Sequence, residues 1–405
     1  MGGDGKGRGG IQLSGDIEAL FPEFLGGPLE RRKEKRNSVN ERRQSKRATP
    51  QDHDEEPQEH DEERETCTIR YDYELPPGRI AYHPTPHRAE SRLMILSPKT
   101  GEIIDGGAFH DFPKEIRESD ILIFNDVRVF KARLWGRRRS GGKVEALLLA
   151  GRGGVVPALL RPLTRLRDGE EIDFGGFAAR LKRRLPDGTA LLDFGGAEVS
   201  EVAEKRGTVP LPPYIKREPI PEDEERYQTV YAARGEAAAA PTAGFHFTGE
   251  ILEAIRSRGA RTAFLTLNIG YGTFAPVHPG QKRLHKEWYS IPEETRRLVE
   301  EERARPDGAR GRIIAVGTTV VRALESYAIT GKTCGETDLY IKPGFRFRIV
   351  EALVTNFHLP NSSLLRLVHA FAGEKIFDAY RHAVKTGYRF YSYGDVMFIR
   401  ERGRC

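Results

Sequence analysis

Arg312-Ile313-Ile314-Ala315-Val316-Gly317-Thr318-Thr319-Val320-Val321-Arg322 is the stretch that decides the fold. A short apolar, β-branched run reads as a strand over 312–316. A glycine ends it, and two threonines open a helical pattern at Thr318. Strand, tight glycine turn and capped helix in eleven residues are half of a βαβ unit. The same alternation continues outward. The spacing predicts a helix over about 249–258, a strand over 262–269 and a charged helix over about 292–305. Strand-like runs follow at 339–342 and 349–355. A further helix starts after Pro360, with Ser362 or Ser363 as its cap and Leu364, Leu365, Val368 and Phe371 as its apolar stripe. Upstream, 91–96 and 120–125 read as strands. Alternating β and α elements predict an α/β fold, a mainly parallel sheet flanked by helices. In such sheets ligands bind outside the carboxyl ends of the strands.

Between about 130 and 212 the texture changes. Short β-type runs at 144–149, 171–174 and 190–194 alternate with Gly, Asp-Gly and Pro turns such as Pro186-Asp187-Gly188. Apart from one short segment near 199–205, no helical period appears. That pattern predicts an inserted small antiparallel β-barrel over 130–212. The α/β domain then comprises 67–129 and 213–405. Residues 1–66 read as a disordered charged leader. A basic block (Arg31-Arg32-Lys33-Glu34-Lys35-Arg36) is followed by an acidic one (Asp52-His53-Asp54-Glu55-Glu56), and too few apolar residues separate them to offset the entropy of ordering.

The chain of 405 residues carries a net charge of +6. Residues 1–65 hold 12 Lys/Arg against 16 Asp/Glu, a balance of −4 that leaves +10 on the remainder. So basic a globular part suits an anionic partner, nucleic acid first, although a generic basic surface gives the same balance. The barrel region carries Arg137, Arg138, Arg139 and Lys143, which are candidates for contact with RNA. The three cysteines, Cys67, Cys334 and Cys405, are scattered without the paired spacing of a zinc or redox site. A reducing, cytoplasmic setting is expected, with no metal and no structural disulfide. No apolar run reaches the roughly 18 residues of a membrane span, and no basic-then-apolar signal segment opens the sequence.

Four loops carry chemistry. In Ala240-Pro241-Thr242-Ala243-Gly244-Phe245-His246-Phe247-Thr248 a histidine sits between aromatics at a loop–helix junction. It is either a titratable group at a ligand site or a buried, satisfied ring. Asn356-Phe357-His358-Leu359-Pro360 is a second loop of the same kind. Gly270-Tyr271-Gly272-Thr273-Phe274 follows a strand, but lacks the third glycine of a nucleotide-binding fingerprint and reads as a close-approach turn. Gly317-Thr318-Thr319 offers backbone N–H groups and two hydroxyls to a carboxylate or phosphate, or is a plain threonine cap. His285-Lys286-Glu287-Trp288-Tyr289 adds an acid, a histidine and two aromatics. The aromatics of Tyr388-Arg389-Phe390-Tyr391-Ser392-Tyr393-Gly394-Asp395 fit the core packing of a final strand, which leaves Arg389 and Asp395 unexplained.

Together these motifs point to a family. Tyr73-Glu74-Leu75-Pro76-Pro77, Phe124-Asn125-Asp126-Val127-Arg128-Val129, 241–248, 270–277, 317–322, 355–360 and Tyr391-Ser392-Tyr393-Gly394-Asp395 occur in one order over about 70–400. In this the chain resembles the S-adenosylmethionine:tRNA ribosyltransferase-isomerases of queuosine biosynthesis. The resemblance implies an α/β domain with an inserted antiparallel barrel. It also implies transfer of the ribosyl part of S-adenosylmethionine to 7-aminomethyl-7-deazaguanine at the tRNA wobble position, giving epoxyqueuosine and releasing adenine and methionine. S-adenosylmethionine is then a consumed substrate, not a cofactor, and tRNA is the partner. Three departures stand out: Asn268 where the family often has His, Leu284 where it usually has Met, and the leader, which is not a family feature.

That chemistry explains the residue types. A sulfonium acidifies the neighbouring C5′ protons, the departing adenine needs a proton, and the attacking amine must be neutral. His246 is our first acid–base candidate, followed by His358 and Glu287. Thr318 and Thr319 would hold the methionine carboxylate or a tRNA phosphate. Phe245, Phe247 or Tyr271 would stack on adenine or the deazaguanine. Thr242, Gly270, Gly272, Thr273, Gly317, Arg322 and Asn356 complete the expected substrate-binding set. A monomer is expected. Two other classes fit less well. A methyltransferase needs an early glycine-rich loop and an acid after the second strand, and neither is evident. A non-catalytic RNA-binding module does not need so many titratable groups in its loops.

Overall fold

The computed structural model describes residues 71–270, 283–306 and 308–403. The leader expected over 1–66 lies outside the described residues, as do Tyr271, Gly272 and Thr273.

The main sheet contains β1 (Arg92–Ser97), β2 (Glu102–Ala108) and β3 (Ile121–Asn125). A short β4 (Val127–Val129) leads into the barrel strands: β5 (Arg133–Arg138), β6 (Lys143–Leu148), β7 (Val155–Arg161), β8 (Glu171–Asp173), β9 (Ala178–Arg184) and β10 (Ala190–Asp193). The chain returns through α1 (Val199–Arg206), α2 (Pro221–Arg226) and β11 (Arg234–Ala237), which pairs in parallel with β4. It continues through α3 (Gly249–Ser257), β12 (Arg261–Leu267), β13 (Glu287–Ser290), α4 (Glu293–Ala304), β14 (Ile313–Val316), α5 (Thr318–Thr330) and β15 (Cys334–Thr337). Last come β16 (Ala352–Asn356), α6 (Ser363–Ala372), α7 (Lys375–Thr386) and β17 (Val396–Ile399).

The sheet order is β15-β13-β12-β3-β14-β16-β17-β1-β2. Its centre, β12-β3-β14-β16, is parallel throughout, and antiparallel strands finish both edges. Every residue of β3, β14 and β16 is buried, as expected of strands covered on both faces. Side chains alternate between two cores. Ile121, Ile123 and Ala315 face the helices α5, α6 and α7, whereas Leu122, Phe124, Ile314 and Val316 face α3 and Phe247. The barrel closes in the order β10-β7-β6-β5-β8-β9 around a separate apolar core, to which α1 contributes Val199, Val202 and Ala203.

Two local expectations fail. The strand expected at 339–342 is absent. The edge strand is β15, a little earlier, where backbone pairing to β13 is available. The aromatic run 388–395 is a loop ahead of β17, with Tyr391 at φ 75°. Tyr388, Phe390 and Tyr393 bury their rings from that loop, so their burial does not report a strand. The cap of α6 is Ser362, whose Oγ accepts from Leu365 N at 3.1 Å. No helix of the described residues is long and apolar enough to cross a membrane.

Candidate active site

The four central parallel strands end at Asn125, Leu267, Val316 and Asn356, so the segments that follow them share one edge of the sheet. Asn125 ties this edge together. Its Nδ2 donates to Leu267 O at 3.0 Å and to Thr319 Oγ1 at 3.3 Å, and its Oδ1 accepts from the backbone of Leu267 and Val127. Gly317 lies between β14 and α5 at φ 96°, ψ 154°, a conformation open in practice to glycine alone.

The loop 241–248 makes one 3₁₀ turn and enters α3 through Thr248, whose side chain caps Ile251 N. Asn356, the last residue of β16, grips this loop twice. Its Oδ1 accepts from Thr242 Oγ1 at 3.0 Å, and its Nδ2 donates to His246 Nε2 at 3.1 Å. With Nε2 accepting, the neutral ring carries its proton on Nδ1. Burial, reinforced by the guanidinium groups of Arg389, Arg88 and Arg226, pulls the His246 pKa down to about 3. His246 is therefore an uncharged imidazole at neutral pH. Gly244 is obligatory: a Cβ there would fall on the Tyr231 hydroxyl. Phe245 packs on Tyr227 and Tyr393, and Phe247 on Phe109, Phe112 and Phe124, so both rings belong to the protein's own aromatic packing.

His358 also sits on this edge. Its Nε2 meets Thr355 Oγ1 at 2.9 Å, and burial lowers its pKa to about 3. Glu287, at the start of β13, accepts from Gly270 N at 2.8 Å and pairs with Arg322 of α5 through Nη1. Glu287 and Arg322 are both buried. They line a small cavity with Thr318, Thr319, Ser363 and Leu364. Thus Glu287, Thr318, Thr319 and Arg322 come together, and Thr242, His246 and Asn356 form a second group. Arg137, Arg138, Arg139 and Lys143 sit on the barrel hairpin β5–β6. There Arg138 is committed to Glu170 at 2.5 Å, whereas Arg139 is 84% exposed.

Two polar groups were not anticipated. Asp126, directly after β3, is buried, accepts from Thr266 Oγ1 at 2.6 Å and lies 3.8 Å from Arg234 Nε. Burial outweighs both partners and raises its pKa above the ordinary carboxylate value. Arg88 donates to Phe245 O at 3.3 Å and to Glu225 O at 2.7 Å, so it braces the backbone beside His246. Asp126 lies in one of the quoted motifs, so its position was a readable signal. Arg88 had none. No group of three or more His, Cys, Asp or Glu residues suited to a metal occurs among the described residues. A wider cleft of about 640 Å³ opens at the opposite end of the strands, around Arg117, Arg258, Arg312 and Arg400, and contains none of these loops.

Residues 68–399 match a family model described as "Queuosine biosynthesis protein". An S-adenosylmethionine:tRNA ribosyltransferase-isomerase of Rubrobacter xylanophilus is 47% identical over 343 residues, which cover 83% of this chain and 98% of that protein. One from Pelobacter propionicus is 46% identical over 343 residues, covering 81% and 98%. A solved S-adenosylmethionine tRNA ribosyltransferase of Thermotoga maritima is 36% identical and covers 81% of this chain and 99% of its own, with a TM-score of 0.47. The chain belongs to the S-adenosylmethionine:tRNA ribosyltransferase-isomerase family of queuosine biosynthesis proteins.

Proposed function

We propose that the edge formed by the ends of β3, β12, β14 and β16 is where this chain carries out its family's reaction. The chain is a tRNA-modifying transferase-isomerase. It moves the ribosyl moiety of S-adenosylmethionine onto 7-aminomethyl-7-deazaguanine in the anticodon wobble position and releases adenine and methionine. Likeness along nearly the full length of its relatives carries this reading.

The site geometry supports a division of labour. Loss of a C5′ proton from the sulfonium and protonation of the departing adenine require one group that accepts a proton and one that donates. His246 stays neutral with its Nε2 lone pair held by Asn356, so it offers its Nδ1–H as the donating group. Asp126 has a pKa displaced upward by burial and is the better proton carrier. His358 and Glu287 are each held by a protein partner, so we give them positioning roles. Thr318, Thr319 and Arg322 form the substrate cleft, with Gly270 beside it through Glu287. Tyr271, Gly272 and Thr273, which follow Gly270 in sequence, are assigned to substrate binding, and Thr242 and Asn356 position His246. Phe245 and Phe247 support that loop from within the core. Arg137, Arg139 and Lys143 on the barrel face the tRNA backbone, and Arg138 stiffens their hairpin. The working unit is a cytoplasmic monomer in two parts, 67–129 with 213–405, and the inserted 130–212.

The test is product analysis with S-adenosylmethionine and a tRNA carrying the aminomethyl-deazaguanine base. Free adenine and methionine together with a heavier tRNA nucleoside are expected. S-adenosylhomocysteine would mean a methyltransferase instead, and tight tRNA binding without turnover a binding module.

A further inference from the structure

The cleft between β13, α5 and α6 is built for an anion. It receives the amino ends of two helices, α5 of 13 residues and α6 of 10. Each helix end carries roughly half a positive charge and points free backbone N–H groups outward. The α5 end is uncapped: Gly317 contributes no side chain. Thr319 accepts from Asn125, so its own hydroxyl proton remains free to donate, and Thr318 and Ser363 add hydroxyls. Thr318, Thr319 and Ser363 are all more than nine-tenths buried.

Arg322 supplies an independent observation. Arg322 is 5% exposed, and its guanidinium is fixed at two points, Nη1 to Glu287 and Nε to Leu339 O at 3.2 Å. Its Nη2 is buried and has no hydrogen-bond partner among the described residues. A buried charged donor without an acceptor is costly, and its residue lines the cleft. Among the described residues, Glu287 is the only carboxylate on the cleft lining. It is already occupied by Arg322 Nη1 and Gly270 N, so it orients the guanidinium and leaves Nη2 without an acceptor among the described residues. The cavity volume is about 20 Å³, the scale of one or two water molecules, which suits a small terminal group better than a phosphodiester with both of its sugars.

We propose that this cleft holds the α-carboxylate of the methionyl end of S-adenosylmethionine, between Arg322 Nη2 and the amino ends of α5 and α6. The proposal rests on the reading that S-adenosylmethionine is the substrate. Binding at this point fixes the amino-acid end of the substrate and leaves the sulfonium and ribose to extend along the sheet edge toward Asp126 and His246.

The experiment compares S-adenosylmethionine with its decarboxylated analogue, measuring affinity by calorimetry and turnover by adenine release. The proteins are the unaltered full chain, Thr318→Val and Arg322→Gln, with circular dichroism to establish that each variant folds. A charge-assisted pair predicts that the full chain binds the analogue about tenfold to a hundredfold more weakly. In Thr318→Val, which keeps the Glu287 pair intact, affinity for S-adenosylmethionine falls and affinity for the analogue does not, so the ratio shrinks toward one. In Arg322→Gln it shrinks further. Equal binding of both compounds by the full chain overturns the proposal, as does a ratio that survives both substitutions. An unchanged ratio with a raised KM for tRNA assigns the cleft to a phosphate instead. Failure to release adenine from S-adenosylmethionine under any condition sinks the functional reading, while the calorimetric ratio still decides the carboxylate site.

Discussion

Asn356 Nδ2 lies 3.1 Å from His246 Nε2, and the same amide accepts from Thr242 through Oδ1, so one side chain at the end of β16 sets both the orientation and the tautomer of the buried imidazole. Asn356→Asp replaces the donor with an acceptor and should draw a proton onto Nε2. We expect the His246 pKa to rise from about 3, visible in an NMR titration of the ring, and turnover at neutral pH to fall tenfold or more. A ring that titrates unchanged in this variant would mean that the amide does not control it.

The depressed histidines predict acid sensitivity. A folded-state value below the ordinary 6.5 gives stability that is present above that pH and is lost as pH falls toward about 3. For the buried His246 the loss is about 1.4 kcal/mol per pH unit across this window. Denaturant midpoints measured from pH 7 to pH 4 should decline, and the decline should be shallower in His246→Gln.

Asp126→Asn removes a carboxyl that burial has moved toward neutrality while preserving its hydrogen bond to Thr266. If Asp126 carries a proton in the reaction, turnover should fall by roughly 10²–10⁴ and one limb of the pH–rate profile should disappear. The raised folded-state pKa also means that stability is present below the ordinary aspartate value and lost as pH rises through the folded one. The asparagine variant should therefore be at least as stable as the parent at pH 8. Full activity in Asp126→Asn would exclude it from proton transfer.

Gly317→Ala tests the turn that launches α5. No atom lies closer than 3.6 Å to the new Cβ, so crowding is not the issue. The backbone at φ 96° is, and a loss of about 1–3 kcal/mol is expected from thermal or chemical unfolding. Relaxation of the turn should also raise the KM for S-adenosylmethionine more than it lowers kcat.

On the barrel, Arg139→Ala and Lys143→Ala should weaken tRNA binding. Each should also reduce the slope of log affinity against log salt by roughly one per lost phosphate contact. Arg138→Ala should instead lower stability, since it removes the two guanidinium contacts to Glu170 and leaves that carboxylate only the Arg167 backbone N–H among the described residues. Unchanged salt slopes in both exposed variants would remove this face from the tRNA interface.

The sequence alone determined the layered α/β plan, the inserted barrel and the loops that carry polar chemistry, because these rest on local signals. The apolar run of β14, the glycine and threonines behind it and the turn-rich texture of the barrel all act over ten or so residues. α7 is not assigned from the sequence, although its i, i+3, i+4, i+7 spacing lies in plain sight at Ile376, Ala379, Tyr380 and Ala383. Phe245 and Phe247 show the limit of such reading: beside a histidine they resemble a stacking platform, yet both are committed to the core. The pairings that make a site were decided only in three dimensions. His246 and Asn356 are 110 residues apart, Glu287 and Arg322 are 35, and Arg88 reaches Phe245 across 157. Strand order brings these partners together, and strand order depends on which apolar faces bury best against each other over the whole chain. Burial follows from the same arrangement, so the lowered pKa of His246, the raised one of Asp126 and the arm of Arg322 that has no partner among the described residues are properties of the tertiary structure.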